Sequence, residues 1–293
     1  MRNPSWLFLF AAVIICFAVG CKSKPHLERY PFHGVILSIE PRGHQALIKH
    51  EDVPGLMQGM TMPFNIKDEK VLASLKPGDI IQATLVKQEY ESWLEDIKVT
   101  GSDPDYADKP ASSSTVHRPS TGEPVPDFVF TNQNGKKMHL SQLRGAPALL
   151  TFIYARCPLP DFCPRMNANL LAVARQAKNS NLQLVSVSFD PTHDTPEVLR
   201  NYERQWTDDL PAGQRGRWQF VIPPAAEMKS VLDFFGMEAD PDQGWITHSL
   251  STTVIGADGK VIQWYGGNQW TPADVLQDLA AKSPSPAAAK SGE

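Results

Sequence analysis

The run Arg156-Cys-Pro-Leu-Pro-Asp-Phe-Cys-Pro164 sets two thiols, Cys157 and Cys163, with five residues between them and three prolines in the run. Such a pair can close a structural staple, exchange as a dithiol and disulfide, or hold a soft metal as two thiolates. Pro158 and Pro160 restrict the loop and keep the sulfurs close enough for either chemistry. Two thiolates alone leave a metal short of ligands. The third is sought downstream in WITHSLSTTVIG, where His248 sits just before the strand of a hairpin, on an edge loop able to approach the cysteine loop. Two thiolates and an imidazole hold Cu(I) and, through the nitrogen, Cu(II). His26, His33, His44, His117, His139 and His193 read as ordinary surface groups.

A second cluster lies in HEDVPGLMQGMTMPF, which holds Met57, Met60 and Met62 of a chain with eight methionines. On a strand, the period of two sends Met60 and Met62 to one face, where His50 at the end of the preceding strand meets them. Thioethers and one imidazole form a soft, uncharged donor set that selects Cu(I) or Ag(I) over zinc or magnesium. One methionine would be a gap-filler in a core; three at this spacing, with a histidine, point to copper.

The N-terminus indicates the compartment. Arg2 gives a positive start, Trp6 to Gly20 is an apolar run short for a bilayer span, and small residues precede Cys21. This predicts a signal peptide over 1–21, the other reading being an uncleaved signal anchor. Ala-Val-Gly-Cys resembles the lipobox of bacterial lipoproteins, which makes Cys21 the lipidated residue and anchors the exported chain to the membrane, facing the periplasm. Cys16 lies inside the apolar run, so Cys157 and Cys163 remain as an isolated pair in an oxidising compartment. At 293 residues and 42% hydrophobic, the chain builds its core without a staple. A net charge of −4 with no basic stripe argues against a nucleic-acid partner.

The elements that must position these residues fall into two globular segments. Residues 101–123, rich in Pro, Ser, Asp and Thr, read as a flexible linker, and 283–293 as a disordered tail. Residues 30–100 carry about five strand signals, with Val35, Leu37 and Ile39 alternating, and predict a small all-β, OB-like barrel. Residues 124–282 alternate strand and helix: ALLTFIYA, a helix from Pro164, LQLVSVSFD, a helix through Tyr202, WQFVIP, a helix across AAEMKSVLDFFG, an Asp258-Gly259 hairpin, and a helix capped by Thr271. This is an α/β sheet in thioredoxin-like order. Cys163 stands at a helix start, where free backbone N–H groups and the dipole favour a thiolate.

With these motifs placed, 30–100 resembles the periplasmic copper carriers typified by CusF, whose His and Met-x-Met ligands match His50, Met60 and Met62; Met57 stands where that family carries a capping Trp. PVPDFVFTNQNG, FIYARCP, VSFDPTHDTPEVLRNY and THSLSTTVIGADGKV resemble successive blocks of the Sco/SenC family of thioredoxin-like copper chaperones. That resemblance implies copper ligation by Cys157, Cys163 and His248, five residues here separating cysteines that the family's motif spaces by three. It further implies service to a copper-receiving subunit of a terminal oxidase, in assembly of the cytochrome c oxidase copper centre. Asp190, Pro191, Asp194, Thr195 and Pro196 match a structural block, with Asp190 a candidate acid behind the ligands. The alternative is a thiol-disulfide oxidoreductase with Cys157 and Cys163 as its catalytic redox pair. A peroxidase is disfavoured, since Tyr-Ala-Arg precedes Cys157 where such enzymes carry Thr-x-x-Cys.

Overall fold

The computed structural model describes residues 26–40, 44–107, 117–177, 180–242 and 245–282. The expected signal peptide with Cys21, residues 41–43, the middle of the linker and the C-terminal tail lie outside the described residues. Among the described residues no helix is long and apolar enough to cross a membrane.

The first segment is one antiparallel sheet built from β1 (Glu28–Glu40), β2 (Gln45–His50), β3 (Thr61–Asn65), β4 (Asp79–Gln88) and β5 (Glu91–Ser102), with α1 (Glu69–Ser74) between β3 and β4. Its order is β3-β2-β1-β4-β5, and a parallel bridge from Ile66 to Leu94 brings the two edges together. The interior face carries Phe32, Ile36, Ala46, Ile48, Met62, Phe64, Ile81, Leu85 and Leu94, all buried. On β1 the deeply buried residues are Phe32, Gly34 and Ile36, while Val35, Leu37 and Ile39 are only partly covered. A register shift between Ile36 and Ser38 then interrupts the alternation.

Both ends of the expected linker are ordered. Residues 101 and 102 finish β5, and α2 (Pro104–Ala107) follows. On the other side of the undescribed middle, His117 Nδ1 lies 2.7 Å from the Phe234 carbonyl, Gly122 N donates to Val261 O at 2.8 Å, and Thr121 Oγ1 to Ile262 O at 3.0 Å. Composition reported the lack of apolar side chains correctly, but backbone hydrogen bonds along a neighbouring strand do not need them.

The second segment continues with β6 (Val129–Asn132), β7 (Lys137–His139), β8 (Ala148–Ile153), α3 (Cys163–Gln176), β9 (Gln183–Ser188), α4 (Pro196–Thr207), α5 (Ala212–Arg215), β10 (Trp218–Ile222), α6 (Met228–Phe234), β11 (Ala239–Asp242), β12 (Trp245–His248), β13 (Ser251–Ile255), β14 (Val261–Gly266) and α7 (Pro272–Lys282). Seven strands form one sheet in the order β14-β13-β8-β9-β10-β6-β7, with β8, β9 and β10 parallel. β8 and β13 are buried at every position, as central strands covered on both faces require. Thr195 caps α4 through its Oγ1, which accepts from Val198 N at 3.3 Å, with Pro196 at the first turn. This is the thioredoxin-like α/β domain that the strand and helix order predicts. β11 and β12 form a separate two-stranded ribbon, so His248 ends a strand of its own rather than lying in a loop.

The two segments touch. β12 lies beside β3, Tyr90 meets Trp206 with ring centroids 6.3 Å apart, and the side chains of Asn65 and Ser92 hydrogen-bond to Asp161.

Candidate metal centre

The cysteine loop leaves the C-terminal end of β8. Because β13 pairs antiparallel with β8, Thr252 opposite Thr151, the chain entering β13 passes next to the chain leaving β8. That register carries His248, three residues before β13, to the sulfurs. One ligand atom from each of Cys157, Cys163 and His248 lies within 4.8 Å of the others. Both cysteines are free thiols. Cys163 is fully buried at the start of α3, and its Sγ accepts from Tyr154 N at 3.4 Å; Cys157 is half-buried.

His248 is 5% exposed and packs against Tyr154, Phe162 and Phe189, with ring centroids 5.4, 5.4 and 4.9 Å away. Its Nδ1 lies 2.7 Å from the Ser249 carbonyl. A carbonyl only accepts, so Nδ1 carries a hydrogen and Nε2 is left to face the sulfurs. Burial alone would raise both thiols. For Cys157, hydrogen bonds from the Cys163 thiol and from His248 outweigh burial and hold the thiol well below its ordinary range. Cys163 is pushed well above it, first by burial and then by the Cys157 thiolate opposite. The two thiols are thus driven in opposite directions by one another.

A polar shell stands behind the sulfurs. Arg156 Nε donates to Asp190 Oδ2 at 2.8 Å, and His193 Nδ1 lies 3.0 Å from Asp190 Oδ1. Burial raises Asp190, but these two hydrogen bonds and the charges behind them outweigh it and hold the carboxyl below the usual range. His193, read as a surface group, is half-exposed and bound to this carboxylate. Asp194 accepts from Ala155 N at 3.0 Å and from Ser188 Oγ at 2.6 Å, and burial raises its carboxyl. Together they tie the backbone turn at Ala155 and Arg156 to the end of β9.

The histidine and methionines singled out in the barrel are buried as well. His50, Met57, Met60 and Met62 are all at most 4% exposed. His50 N donates to Met60 O at 2.9 Å, and His50 and Met62 belong to the inward set of β2 and β3. Phe32 and Phe64 flank the imidazole at 5.4 and 5.3 Å. Its Nδ1 lies 2.6 Å from the Glu51 carbonyl, so it too is tied to the next residue's backbone, leaving Nε2 with the lone pair. Gly59 permits this closure: a Cβ there would stand 2.8 Å from the His50 carbonyl. Two thiolates with an imidazole, and thioethers with an imidazole, are both donor sets that suit Cu(I) and do not suit hard cations.

The family model described as SCO1/SenC matches residues 117–283, more than half of the chain. The chain belongs to the SCO1/SenC family. Residues 29–99 match the family model of the copper binding periplasmic protein CusF. Among curated relatives, the SCO1 protein homolog of Bacillus subtilis is 28% identical over 166 residues, covering 54% of this chain and 82% of that protein. The human mitochondrial SCO1 homolog is 24% identical over 158 residues, covering 53% and 50%. Among solved structures, a SCO1/SenC family lipoprotein from Bacillus anthracis aligns at 30% identity and a TM-score of 0.48, covering 55% of this chain and 95% of that one. Arabidopsis thaliana ScoI with copper bound aligns at 19% identity and a TM-score of 0.46, covering 55% and 97%.

In this SCO1/SenC chain the sequence reading missed one feature of the centre. Asp161, inside the cysteine loop, is 1% exposed, and burial pushes its carboxyl up to about 7. Its partners, Asn65 and Ser92, come from the barrel. An isolated Asn and Ser on strands carry no sequence signal for such a contact.

Proposed function

We propose that this chain is a lipid-anchored, extracytoplasmic copper chaperone that carries copper on Cys157, Cys163 and His248 and on a second site of His50, Met57, Met60 and Met62. Its recipient is the copper-receiving subunit of a terminal oxidase, in assembly of the cytochrome c oxidase copper centre. The observation that supports this reading best is the meeting of two sulfurs and one ring nitrogen within 4.8 Å. Cys157 offers a ready thiolate, and Cys163 must release its proton when metal is taken up. With Nδ1 turned to the Ser249 carbonyl, Nε2 of His248 is the ring nitrogen placed to complete the ligand set. Phe162, Phe189 and Tyr154 fix the ring and shield it from water. In the barrel, neutral thioethers hold a monovalent ion without a compensating charge change.

A second reading, a thiol-disulfide oxidoreductase, is favoured by the contrast between the lowered Cys157 and the raised Cys163, the asymmetry of an attacking and a resolving thiol. Anaerobic Cu(I) titration of the chain from Lys22, with thiols counted before and after, separates the two. Two equivalents are expected, falling to one in Cys157→Ser/Cys163→Ser. A wild-type chain that takes up only one equivalent, unchanged in that variant, would assign the cysteines to dithiol exchange alone.

A further inference from the structure

The loop between the cysteines is held from outside its own domain. Asp161 Oδ1 accepts from Ser92 Oγ at 2.6 Å, and Oδ2 from Asn65 Nδ2 at 2.9 Å. Ser92 is itself 2% exposed, and Asn65 Nδ2 also reaches the Ser92 carbonyl at 3.0 Å. Gln45 Nε2 orients Asn65 by donating to its Oδ1 at 3.0 Å. From the other side, Asn268 Nδ2 donates to the Asp161 carbonyl at 3.0 Å. Asp161 is therefore bound by strands β2, β3 and β5 of the barrel, directly or through Asn65, while its backbone is bound by the thioredoxin-like domain. Leu159 and Phe162, on either side, are buried as well, which leaves the loop little freedom except through this contact.

We propose that Asp161 is a positioning residue through which the barrel, supplying no atom to the Cys–Cys–His cluster, sets the geometry and hence the redox balance of Cys157 and Cys163. A buried carboxylate oxygen whose donor is removed is left with its desolvation cost uncompensated, so the loop conformation seen with both thiols free depends on Ser92 and Asn65. Disulfide formation requires the sulfurs to close to about 2.05 Å, with the Cβ atoms about 4 Å apart. A loop pinned at Asp161 resists that closure. The barrel consequently favours the dithiol, the form able to take up metal or electrons. This inference needs only that Cys157 and Cys163 form a thiol pair, and it stands or falls independently of the copper titration.

The test uses the metal-free full chain in detergent, equilibrated with glutathione buffers. Oxidation joins the two Sγ atoms, and the two electrons and two protons pass to glutathione disulfide, which becomes two glutathione molecules. Ser92→Ala/Asn65→Ala lies wholly on the barrel side. It is expected to shift the dithiol–disulfide equilibrium about tenfold towards the disulfide, about 30 mV for this two-electron couple. Ser92→Thr, which keeps the hydroxyl, is expected to restore the wild-type balance. In an Asp161→Ala background, Ser92→Ala is expected to have no further effect, since the coupling runs through the missing carboxylate. Where the double variant does not fold, Ser92→Ala alone gives the same direction at smaller size. A balance within twofold of wild type in folded Ser92→Ala and in the double variant would overturn the proposal. So would a Ser92→Ala shift that persists undiminished without Asp161.

Discussion

His248→Phe isolates the role of one nitrogen. The ring touches three aromatic rings at 4.9 to 5.4 Å and donates one hydrogen bond to the Ser249 carbonyl. Phenylalanine keeps the volume and the ring contacts and loses that hydrogen bond, a cost of about 1 kcal/mol. For a domain of this size that corresponds to a fall in Tm of about 3 °C. His248→Ala removes the ring from a buried site and costs about 3 kcal/mol, or about 10 °C. Packing thus separates the two variants by several degrees. Metal binding should not separate them, because both lack the nitrogen. Losing only an orienting group behind a ligand costs 10–100-fold in metal affinity, so losing the ligand itself is expected to cost at least about 100-fold for Cu(II). Cu(I), retained by two thiolates, should weaken less. Thermal melts by circular dichroism measure the first pair of numbers. Competition titration with a chelator, read on the thiolate-to-Cu(II) absorption, measures the second. A Phe variant that binds Cu(II) within threefold of the wild type, beside an Ala variant that does not, would show that His248 only packs the site.

Two further outcomes are expected. Because Cys157 is held well below the ordinary thiol range, its thiolate should persist at neutral pH: its alkylation by iodoacetamide should be near its plateau at pH 7 and decline only on acidification. His248→Phe, which removes a donor to the thiolate, should move that profile upward towards the ordinary midpoint near 8.5, and an unmoved profile would mean that His248 does not act on the sulfur. Met60→Leu/Met62→Leu replaces two side chains that are 3% and 4% exposed by ones of similar volume, so the barrel should stay folded within about 1.5 kcal/mol while one Cu(I) equivalent disappears from the anaerobic titration; retention of both would exclude the barrel as a copper site.

Much of the architecture was legible because it rests on local physics. The unbroken apolar run ALLTFI marks a strand covered on both faces, Pro164 just after Cys163 marks a helix start, and Thr195-Pro196 marks another. The same locality gave His50 of β2 and Met62 of β3 as inward positions, since the period of a strand is fixed whatever surrounds it, whereas Met60 lies just before β3 and takes its place from the loop. Local patterns failed where a residue's place depends on distant chain. The buried positions of β1 are Phe32, Gly34 and Ile36 and not the alternating Val35, Leu37 and Ile39, and the end of the linker after residue 117 is ordered by hydrogen bonds to a strand far along the sequence.

The sequence by itself determined the donor types, two thiols close together, a methionine cluster and histidines to complete them, because softness and charge belong to the side chains. Which histidine completes the thiol pair was decided by the antiparallel register of β13 on β8, a property of the whole sheet. The clamp on Asp161 was decided later still, by the docking of two domains. A carboxylate in a proline-rich loop looks solvent-facing until Ser92 and Asn65 arrive to bind it, and a polar contact of that kind leaves no periodicity in any of the strands or loops that make it.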